Sequence, residues 1–189
     1  MGPLTHALLG WTTANTHPGL TRRERIWITV AGVVPDLDGL GILAPLFTDG
    51  ALSSIDGYLR WHHVVAHNIL FAVLFAAVAW AVTGRRLWTF VLTLISMHLH
   101  FLGDLAGSRG PDSYDIWPIY YLLPFSDVAW SWHGQWPLVS WQNTVTTLIL
   151  IMIAVGIVMR YGRSPVELFS VKRDQPVVEA IQRRLGGIG

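Results

Sequence analysis

The sequence contains no cysteine. Disulfide bonds, thiolate metal ligands and a cysteine nucleophile are therefore excluded, so any metal ion must be held by histidine and carboxylate side chains. Glutamate is also missing between Glu24 and Glu167, so every acidic residue in that long stretch is an aspartate. Charged residues of both signs are scarce at 13% of the chain, whereas soluble domains have about 25%.

Several common catalytic motifs are absent as well. The chain has no G-x-S-x-G, no P-loop and no G-x-G-x-x-G, so a serine nucleophile and nucleotide binding have no support. A net charge of +1 gives no indication of nucleic-acid binding. Hydrolysis by metal-activated water is the hydrolytic chemistry that remains, and the chain has eight histidines to supply metal ligands.

Long stretches without charge indicate the class of protein. Residues 61–84, 87–103 and 128–159 contain no Asp, Glu, Lys or Arg. About 20 apolar residues cross a bilayer as a helix, so we predict an integral membrane protein with spans at 26–45, 61–84, 87–105 and 139–159. Segment 3–17 is either a short first helix that enters from outside or an interfacial helix. The expected fold is an all-α polytopic bundle with four or five transmembrane helices.

The basic residues predict which ends of these spans are cytoplasmic. Eleven of the thirteen lie in three clusters, namely Arg22, Arg23, Arg25, Arg85, Arg86, Arg160, Arg163, Lys172, Arg173, Arg183 and Arg184. The positive-inside rule assigns these clusters to the cytoplasm. We therefore expect a multi-pass inner-membrane protein. Its transmembrane domain over residues 1–160 would hold any catalytic site, and residues 161–189 would form a cytoplasmic basic tail.

Histidines and aspartates gather at the opposite ends of the same spans. The set is His6, Asp36, Asp38, His62, His63, His67, His98, His100 and Asp104. Ionisable groups at membrane depth are costly and are usually functional. Because four segments bring such residues to one side at similar depth, the pattern predicts either a metal site or the path of an ion or proton.

Helical spacing indicates which of these residues are neighbours. His100 and Asp104 are four residues apart, so they share a helix face with Cβ atoms about 5–6 Å apart. His63 and His67 share a face in the same way. His62 and His67 are five residues apart and would need a helix that begins after His62.

Imidazole and carboxylate ligands together suit zinc, manganese or iron better than calcium or magnesium alone. Enough ligands for one ion, or for two bridged by a carboxylate, are supplied by His6, Asp36, Asp38, His67, His100 and Asp104. Bound ions would lower the pKa of a water molecule and stabilise a phosphoryl centre, and Asp36 or Asp38 would orient or deprotonate that water. Arg60 and Arg109 lie outside the basic clusters and are expected either to bind a substrate phosphate or to anchor the interface. The segment "PDLDGLG" at 35–41 is predicted to be irregular and to line a cavity.

The order of four motifs resembles a family of LexA-regulated inner-membrane metal-dependent hydrolases. The motifs are THALLG at 5–10, PDLD at 35–38, HHVVAH at 62–67 and HFLGDLAGSRG at 100–110, with WP at 117–118. The family pattern is T-H-x-x-x-G, P-D-x-D, H-R-G-x-T-H-S, then H-x-x-x-D followed by a glycine and W/Y-P. The resemblance covers most of residues 5–125. It implies that the functional residues are His6, Asp36, Asp38, His62, His67, His100 and Asp104.

Two positions depart from that pattern. The usual arginine after the first histidine is His63 here, and the usual serine after His67 is Asn68. The arginine's contact with a substrate phosphate would then need Arg60 or His63 instead. The resemblance favours His62 as the metal ligand, whereas helical spacing favours His63. We expect His62 to be the ligand and His63 to lie near the substrate.

The HFLGD segment is also similar, more distantly, to the H-x-x-x-D segment of zinc-dependent phospholipases C and single-strand nucleases. That likeness implies hydrolysis of a phosphoester, either a small molecule or a lipid-linked substrate. The sequence therefore predicts a membrane hydrolase with one or two metal ions at the outer face. The alternatives are an ion- or proton-coupled transporter that uses the same Asp/His cluster, and a scaffold that binds partners through its basic segments.

Overall fold

The computed structural model describes residues 1–54, 57 and 61–186, and within them the protein is helical. The α-helices are α1 (Pro3–Ala14), α2 (Arg22–Ala31), α3 (Ile69–Val82), α4 (Leu87–Gly107), α5 (Trp141–Tyr161) and α6 (Val171–Leu185). Two further segments, Val34–Leu46 and Pro165–Leu168, are 3₁₀ helices. In this part of the chain the only β contacts are two isolated bridges. The predicted all-α class is therefore confirmed.

Two helices, α4 and α5, are long and apolar enough to cross a membrane. A third crossing forms if α2 and the segment Val34–Leu46, which meet at 50°, are one broken span and not a re-entrant loop. Helix α3 is apolar, but it has only 14 residues. By length and composition, the described residues thus supply two or three crossings of a helical membrane protein.

The helix predicted over residues 61–84 begins later than expected. Residues 62–68 form turns and bends, and α3 starts at Ile69. The cause is Asn68, whose side chain accepts a hydrogen bond from the amide of Phe71 at 2.9 Å and so caps the new helix. Helical spacing therefore does not govern the three histidines of this segment.

The span predicted over residues 26–45 is broken at its middle. Helix α2 ends at Ala31, and the 13-residue 3₁₀ segment Val34–Leu46 follows with Pro35 in its first turn. A 3₁₀ helix of this length is unusual and often marks a functional or strained site. The predicted departure from the α-helix at residues 35–41 is therefore present as a 3₁₀ helix, and the cavity that this stretch was expected to line stays a prediction.

Glycines allow helices α1 and α2 to approach closely. A Cβ atom on Gly10 would lie 2.7 Å from the carbonyl oxygen of Thr29, and one on Gly32 would lie 2.7 Å from that of His6. The hydroxyl of Ser96 on α4 packs against the same two glycines, at 3.0 and 3.1 Å from their Cβ positions. Small residues at helix contacts are typical of membrane bundles. The packing brings His6 next to the second half of α4.

The basic clusters meet at one end of the bundle. Thr89 at the start of α4 donates to Glu24 of α2 at 2.7 Å, and Arg163 beyond α5 donates to the side chain of Asn15 at 2.8 Å. Arg25 of α2 also pairs with Glu167 of the tail at 2.6 Å. We call this region the basic end, and it is formed by Glu24, Arg25, Thr89, Arg163 and Glu167. The tail contains helix α6, and the division at residue 160 stays a prediction.

Two side-chain amides, Gln135 of the 108–140 segment and Asn143 of α5, bond to the other end of α4. Gln135 donates to the carbonyl oxygen of Asp104 at 2.9 Å and accepts from the amide of Trp117 at 2.9 Å. Asn143 donates to the carbonyl oxygen of Gly107 at 2.8 Å. The last carbonyl groups of a helix have no partner within it. These two side chains donate hydrogen bonds to two such groups, those of Asp104 and Gly107.

Candidate metal centre

The side chain of Asp104 lies at the centre of the His/Asp cluster and is only 2% exposed. Its Oδ1 is 3.0 Å from His6 Nε2, and its Oδ2 is 3.0 Å from His100 Nε2 and 3.3 Å from His67 Nε2. The amino group of Met1 also contacts Oδ1. The predicted contact between His100 and Asp104 is therefore present, and histidines from α1 and from the turn segment 62–68 converge on it.

His67 and His100 face each other, with their Nε2 atoms 3.0 Å apart. The Nδ1 of His100 is 2.9 Å from the carbonyl oxygen of Gly32, and the Nδ1 of His67 is 2.8 Å from a carboxylate oxygen of Asp38. A carbonyl or carboxylate oxygen only accepts, so we assign the ring proton to Nδ1 in both cases. Both Nε2 atoms are then acceptors that point at each other and at the carboxylate of Asp104. A positive charge at this point, either a further ring proton or a bound cation, would stabilise this arrangement.

The carboxylate of Asp38 hydrogen-bonds to the Nδ1 atoms of two histidines. In His67 this is the ring nitrogen that faces away from Asp104. Asp38 Oδ1 is 2.7 Å from His62 Nδ1, and its Oδ2 is 2.8 Å from His67 Nδ1. The amide of Ala66 also donates to Oδ2 at 3.4 Å. A carboxylate in this position fixes the tautomer and the orientation of a metal-binding histidine.

Two groups of side chains in the described part of the chain bring ligand atoms within 4.8 Å of one another. The first is His6, Asp36, His100 and Asp104, and the second is His63, His67 and Asp104. Ligand atoms bound at 2.0–2.2 Å to a tetrahedral zinc ion lie roughly 3.3–3.5 Å apart. The separations from Asp104 Oδ2 to the surrounding histidines run from 3.0 to 3.8 Å, so they lie on both sides of that range and within a few tenths of an ångström of it.

Some buried atoms beside Asp104 have no hydrogen-bond partner. They include Oδ2 of Asp36 and both ring nitrogens of His63. Leaving a buried polar atom unpaired costs about 1–3 kcal/mol. Unpaired acceptors next to a carboxylate and two facing imidazoles fit a divalent cation, because all of them are ligand types that zinc or manganese uses.

A cavity of about 430 Å³ opens beside the cluster, with His62 and His63 in its wall. Trp117 lies edge-on to both of these rings, with centroids 5.6 Å away. Asp115 and Asp127 also line the cavity, so its wall combines imidazole, aromatic and acidic groups. Its volume is that of a small-molecule site.

A smaller cavity of about 210 Å³ is almost wholly apolar, and we call it the apolar slot. Phe101, Ile119 and Tyr121 are among the residues that line it. The segment 117–121 borders both cavities, because Trp117 and Tyr120 line the larger one while Ile119 and Tyr121 line the slot. Phe101 also packs on the ring of His67, with centroids 5.6 Å apart. The slot and the metal centre are therefore neighbours.

Comparison with models of known protein families shows which family the chain belongs to. The family model of the YdjM inner membrane protein matches residues 1–172. The chain belongs to the YdjM inner membrane protein family. The YdjM match includes every residue of the metal centre, and it confirms the inner-membrane family that the motif order predicted. It names no reaction, and neither a curated protein nor a solved structure matches the chain.

The residues predicted from the YdjM-like motifs come together, with two exceptions among the expected ligands. His6, Asp36, His100 and Asp104 form one group of possible ligands, whereas Asp38 and His62 belong to neither group. The argument that favoured His63 assumed a helix that runs through His63 and His67. That assumption was wrong, because residues 62–68 are not helical.

The two arginines predicted to bind a substrate phosphate have different outcomes. Arg109 donates from Nη1 to the carbonyl oxygen of Asp112 at 3.2 Å and is not among the described residues that line the cavity. Arg60 lies outside the described residues.

Sequence reasoning missed two residues that hold this YdjM-family centre in place. The carbonyl oxygen of Gly32 accepts a hydrogen bond from the ring of His100, and the side chain of Gln135 donates one to the backbone carbonyl of Asp104. A backbone carbonyl has no signature in a sequence. Gln135 lies in a loop with no periodic pattern, so its type alone could not have indicated its role.

Proposed function

We propose that this membrane protein is a hydrolase that cleaves a phosphoester, with zinc, or alternatively manganese, as its metal. The observation that supports this most strongly is the meeting of three acceptor atoms, His67 Nε2, His100 Nε2 and Asp104 Oδ2, within 3.3 Å of one another. A proton satisfies one such pair, whereas a divalent ion satisfies all three.

The ligands of the ion would be His6, Asp36, His67, His100 and Asp104. A divalent ion bound to them would act as a Lewis acid and lower the pKa of a bound water molecule. Asp38 would keep His67 in the tautomer that presents Nε2 to the centre, and it would hold His62 at the wall of the cavity.

Asp36 supplies the proton acceptor in this proposal. Its Oδ1 is 3.7 Å from His100 Nε2, and its Oδ2 is buried without a partner. We infer that Oδ2 accepts a proton from the attacking water. Asp38 is less suited to this role, because both of its oxygens already accept hydrogen bonds from His62 and His67.

The two cavities support a lipid-linked substrate. The larger cavity would receive the phosphoester, with His62 and His63 in its wall. The apolar slot would take part of an acyl chain, since it borders the same segment 117–121 and includes Leu102, which is 60% exposed. A substrate of this kind would reach the site from the bilayer.

We propose four crossings, made by the broken pair α2 and Val34–Leu46, by α3, by α4 and by α5, with the C-terminus in the cytoplasm. Helix α1, with 12 residues, runs from the metal centre, where Met1 contacts Asp104, to the basic end, where Asn15 accepts from Arg163, and so lies inside the bundle beside these four crossings. Helix α3, with 14 residues, is shorter than a hydrocarbon core of about 30 Å and would cross together with the turns at residues 62–68.

Because the chain has no cysteine, single cysteines at Arg86, Ser140 and Gly162 can be labelled cleanly with an impermeant maleimide in intact cells. Only the Ser140→Cys protein should be labelled, and labelling at Arg86 or Gly162 would overturn the topology.

The experiment that tests the hydrolase is elemental analysis of the detergent-purified protein. The wild type should contain at least one zinc or manganese ion per chain, and Asp104→Ala and His100→Ala should lose it. His98→Ala is the matched control, because His98 lies on the same helix but bonds to Leu94 and Tyr121, away from the centre. The metal-loaded protein should then hydrolyse lipid phosphoesters in mixed micelles. A wild type that takes up no metal would overturn the proposal.

An ion- or proton-coupled transporter is the second candidate, and one observation favours it. Thr89, Thr93, Ser96 and His100 follow one fully buried face of α4, and the hydroxyls of Thr93 and Ser96 have no partner. Thr89 at the far end of this file donates to Glu24. Proton uptake by proteoliposomes, abolished in Thr93→Val, would favour transport. Proteoliposomes that stay impermeable to protons would favour the hydrolase.

A further inference from the structure

We propose that His63, together with His67 and Asp104, forms a second cation subsite, so that the protein binds two metal ions that share the Asp104 carboxylate. With both ions bound, His67 serves the second ion, because an imidazole nitrogen binds only one, and the first ion is held by His6, Asp36, His100 and Asp104. This inference rests on the proposed function, because it requires that the first group of ligands also binds an ion.

His63 is a buried side chain whose ring has no role in the hydrogen bonding of the fold. It is 2% exposed, and neither Nδ1 nor Nε2 has a hydrogen-bond partner. Its Nε2 lies 3.8 Å from Asp104 Oδ2, and its ligand atoms lie within 4.8 Å of those of His67 and Asp104. Burial of an imidazole with both nitrogens unpaired is unfavourable unless something binds one of them.

The backbone at His63 supports the same conclusion. Its φ angle is +66°, in the left-handed region that residues other than glycine rarely adopt. Such conformations cost of order 1–3 kcal/mol and cluster at functional sites. The carbonyl oxygen of His63 accepts from the amide of Tyr120 at 3.5 Å, which ties this turn to the segment bordering the cavity. The chain keeps an unfavourable turn here, and the result is an imidazole directed towards Asp104.

Asp104 is suited to serve two ions because its two oxygens face different histidines. Oδ1 is 3.0 Å from His6, while Oδ2 is nearest to His100 and His67. A carboxylate that bridges two ions about 3.5–4 Å apart is the usual arrangement of enzymes that cleave phosphoesters with paired metals. The position of His63 in the cavity wall would make the second ion the one that a substrate phosphate meets first.

The test is the number of metal ions per chain, measured without reference to activity. Zinc or cobalt should load to two ions in the wild type and to one in His63→Gln, while His98→Gln should still load two. One ion in both the wild type and His63→Gln would overturn the second subsite and leave the proposed hydrolase intact. Two ions in His63→Gln would show that His63 is not a ligand and would also overturn the inference. No ion in the wild type would overturn both proposals.

A second measurement does not depend on the folding of any variant. The wild type loaded with Mn²⁺ should give the electron paramagnetic resonance spectrum of a magnetically coupled pair, as expected for ions about 4 Å apart. The spectrum of isolated Mn²⁺ at full loading would overturn the inference.

Discussion

The two ends of the bundle both bury charged groups, but they do so in opposite ways. At the basic end, Arg25 donates to both oxygens of Glu167 at 2.7 and 2.6 Å and to the carbonyl oxygen of Leu20 at 2.6 Å. Glu24, with no exposed surface, accepts from Thr89 and from the backbone and hydroxyl of Thr21. None of the five residues of the basic end has a buried side-chain polar atom without a partner, so the network is complete without a ligand.

At the other end the amino group of Met1 contacts Asp104 Oδ1, but around Asp104 Oδ2 acceptors meet acceptors. The Nε2 atoms of His67 and His100 face each other beside the carboxylate of Asp104, and both nitrogens of His63 are unpaired. Buried polar groups stabilise a fold only when each has a partner. Both ends are buried and charged, so neither property tells a structural network from a binding site. The two ends differ in whether each acceptor has a donor.

Breaking the complete network should have the largest effect on stability. The change Glu167→Gln leaves the buried Arg25 without its counter-charge, which costs about 3–5 kcal/mol for a buried pair. We expect a much lower unfolding temperature in detergent, measured by scanning fluorimetry. Metal content per folded chain should not change, and a loss of metal in Glu167→Gln would contradict the independence of the two ends.

Removing the metal should have the next largest effect. An ion present at about 100 times its Kd stabilises the folded state by about 2.7 kcal/mol. A chelator should therefore lower the unfolding temperature of the wild type. Adding zinc back should restore it. The same treatment should leave Asp104→Asn unchanged, because that variant lacks the shared carboxylate. An equal shift in both proteins would mean that the chelator acts elsewhere.

A methyl group at Gly32 tests how closely the helices must pack around the centre. In Gly32→Ala the new Cβ would lie 2.7 Å from the carbonyl oxygen of His6, and overpacking of this kind costs about 1–3 kcal/mol. It should also displace His6 and weaken zinc binding, measured by competition with a chromogenic chelator. Gly156→Ala on α5 is the matched control, since no atom lies within 4 Å of its Cβ position. Equal zinc affinity in the two variants would show that the helix contact does not position the ligands.

The change Asp38→Asn is expected to have the smallest effect of the four. It keeps the shape of the side chain but removes the charge behind His62 and His67, and losing such a partner costs about 10–100-fold in metal affinity. The protein should stay folded, and zinc should bind in the same number but more weakly. Complete loss of zinc would instead mean that Asp38 is itself a ligand, as the sequence motif implied.

The sequence was sufficient for those parts of the centre that depend on regular periodicity. His100 and Asp104 could be paired because α4 is an uninterrupted helix, and the gathering of histidines and aspartates at one end followed from the distribution of arginines. It failed at residues 62–68, where Asn68 caps a later helix and replaces helical spacing with turns. The two departures from the family pattern, His63 and Asn68, lie in or beside this irregular segment.

The bend between α2 and the 3₁₀ segment has a consequence for the chemistry of His100. In a continuous α-helix the carbonyl oxygen of Gly32 would accept from the amide of Asp36, four residues later. Here that amide bonds to Val33 at 3.0 Å, so the Gly32 oxygen is left for His100 Nδ1 at 2.9 Å. A straighter span would use up this carbonyl and release the ring proton to either nitrogen. The curvature of one span thus selects the ring nitrogen that His100, on another helix, presents to Asp104 and His67.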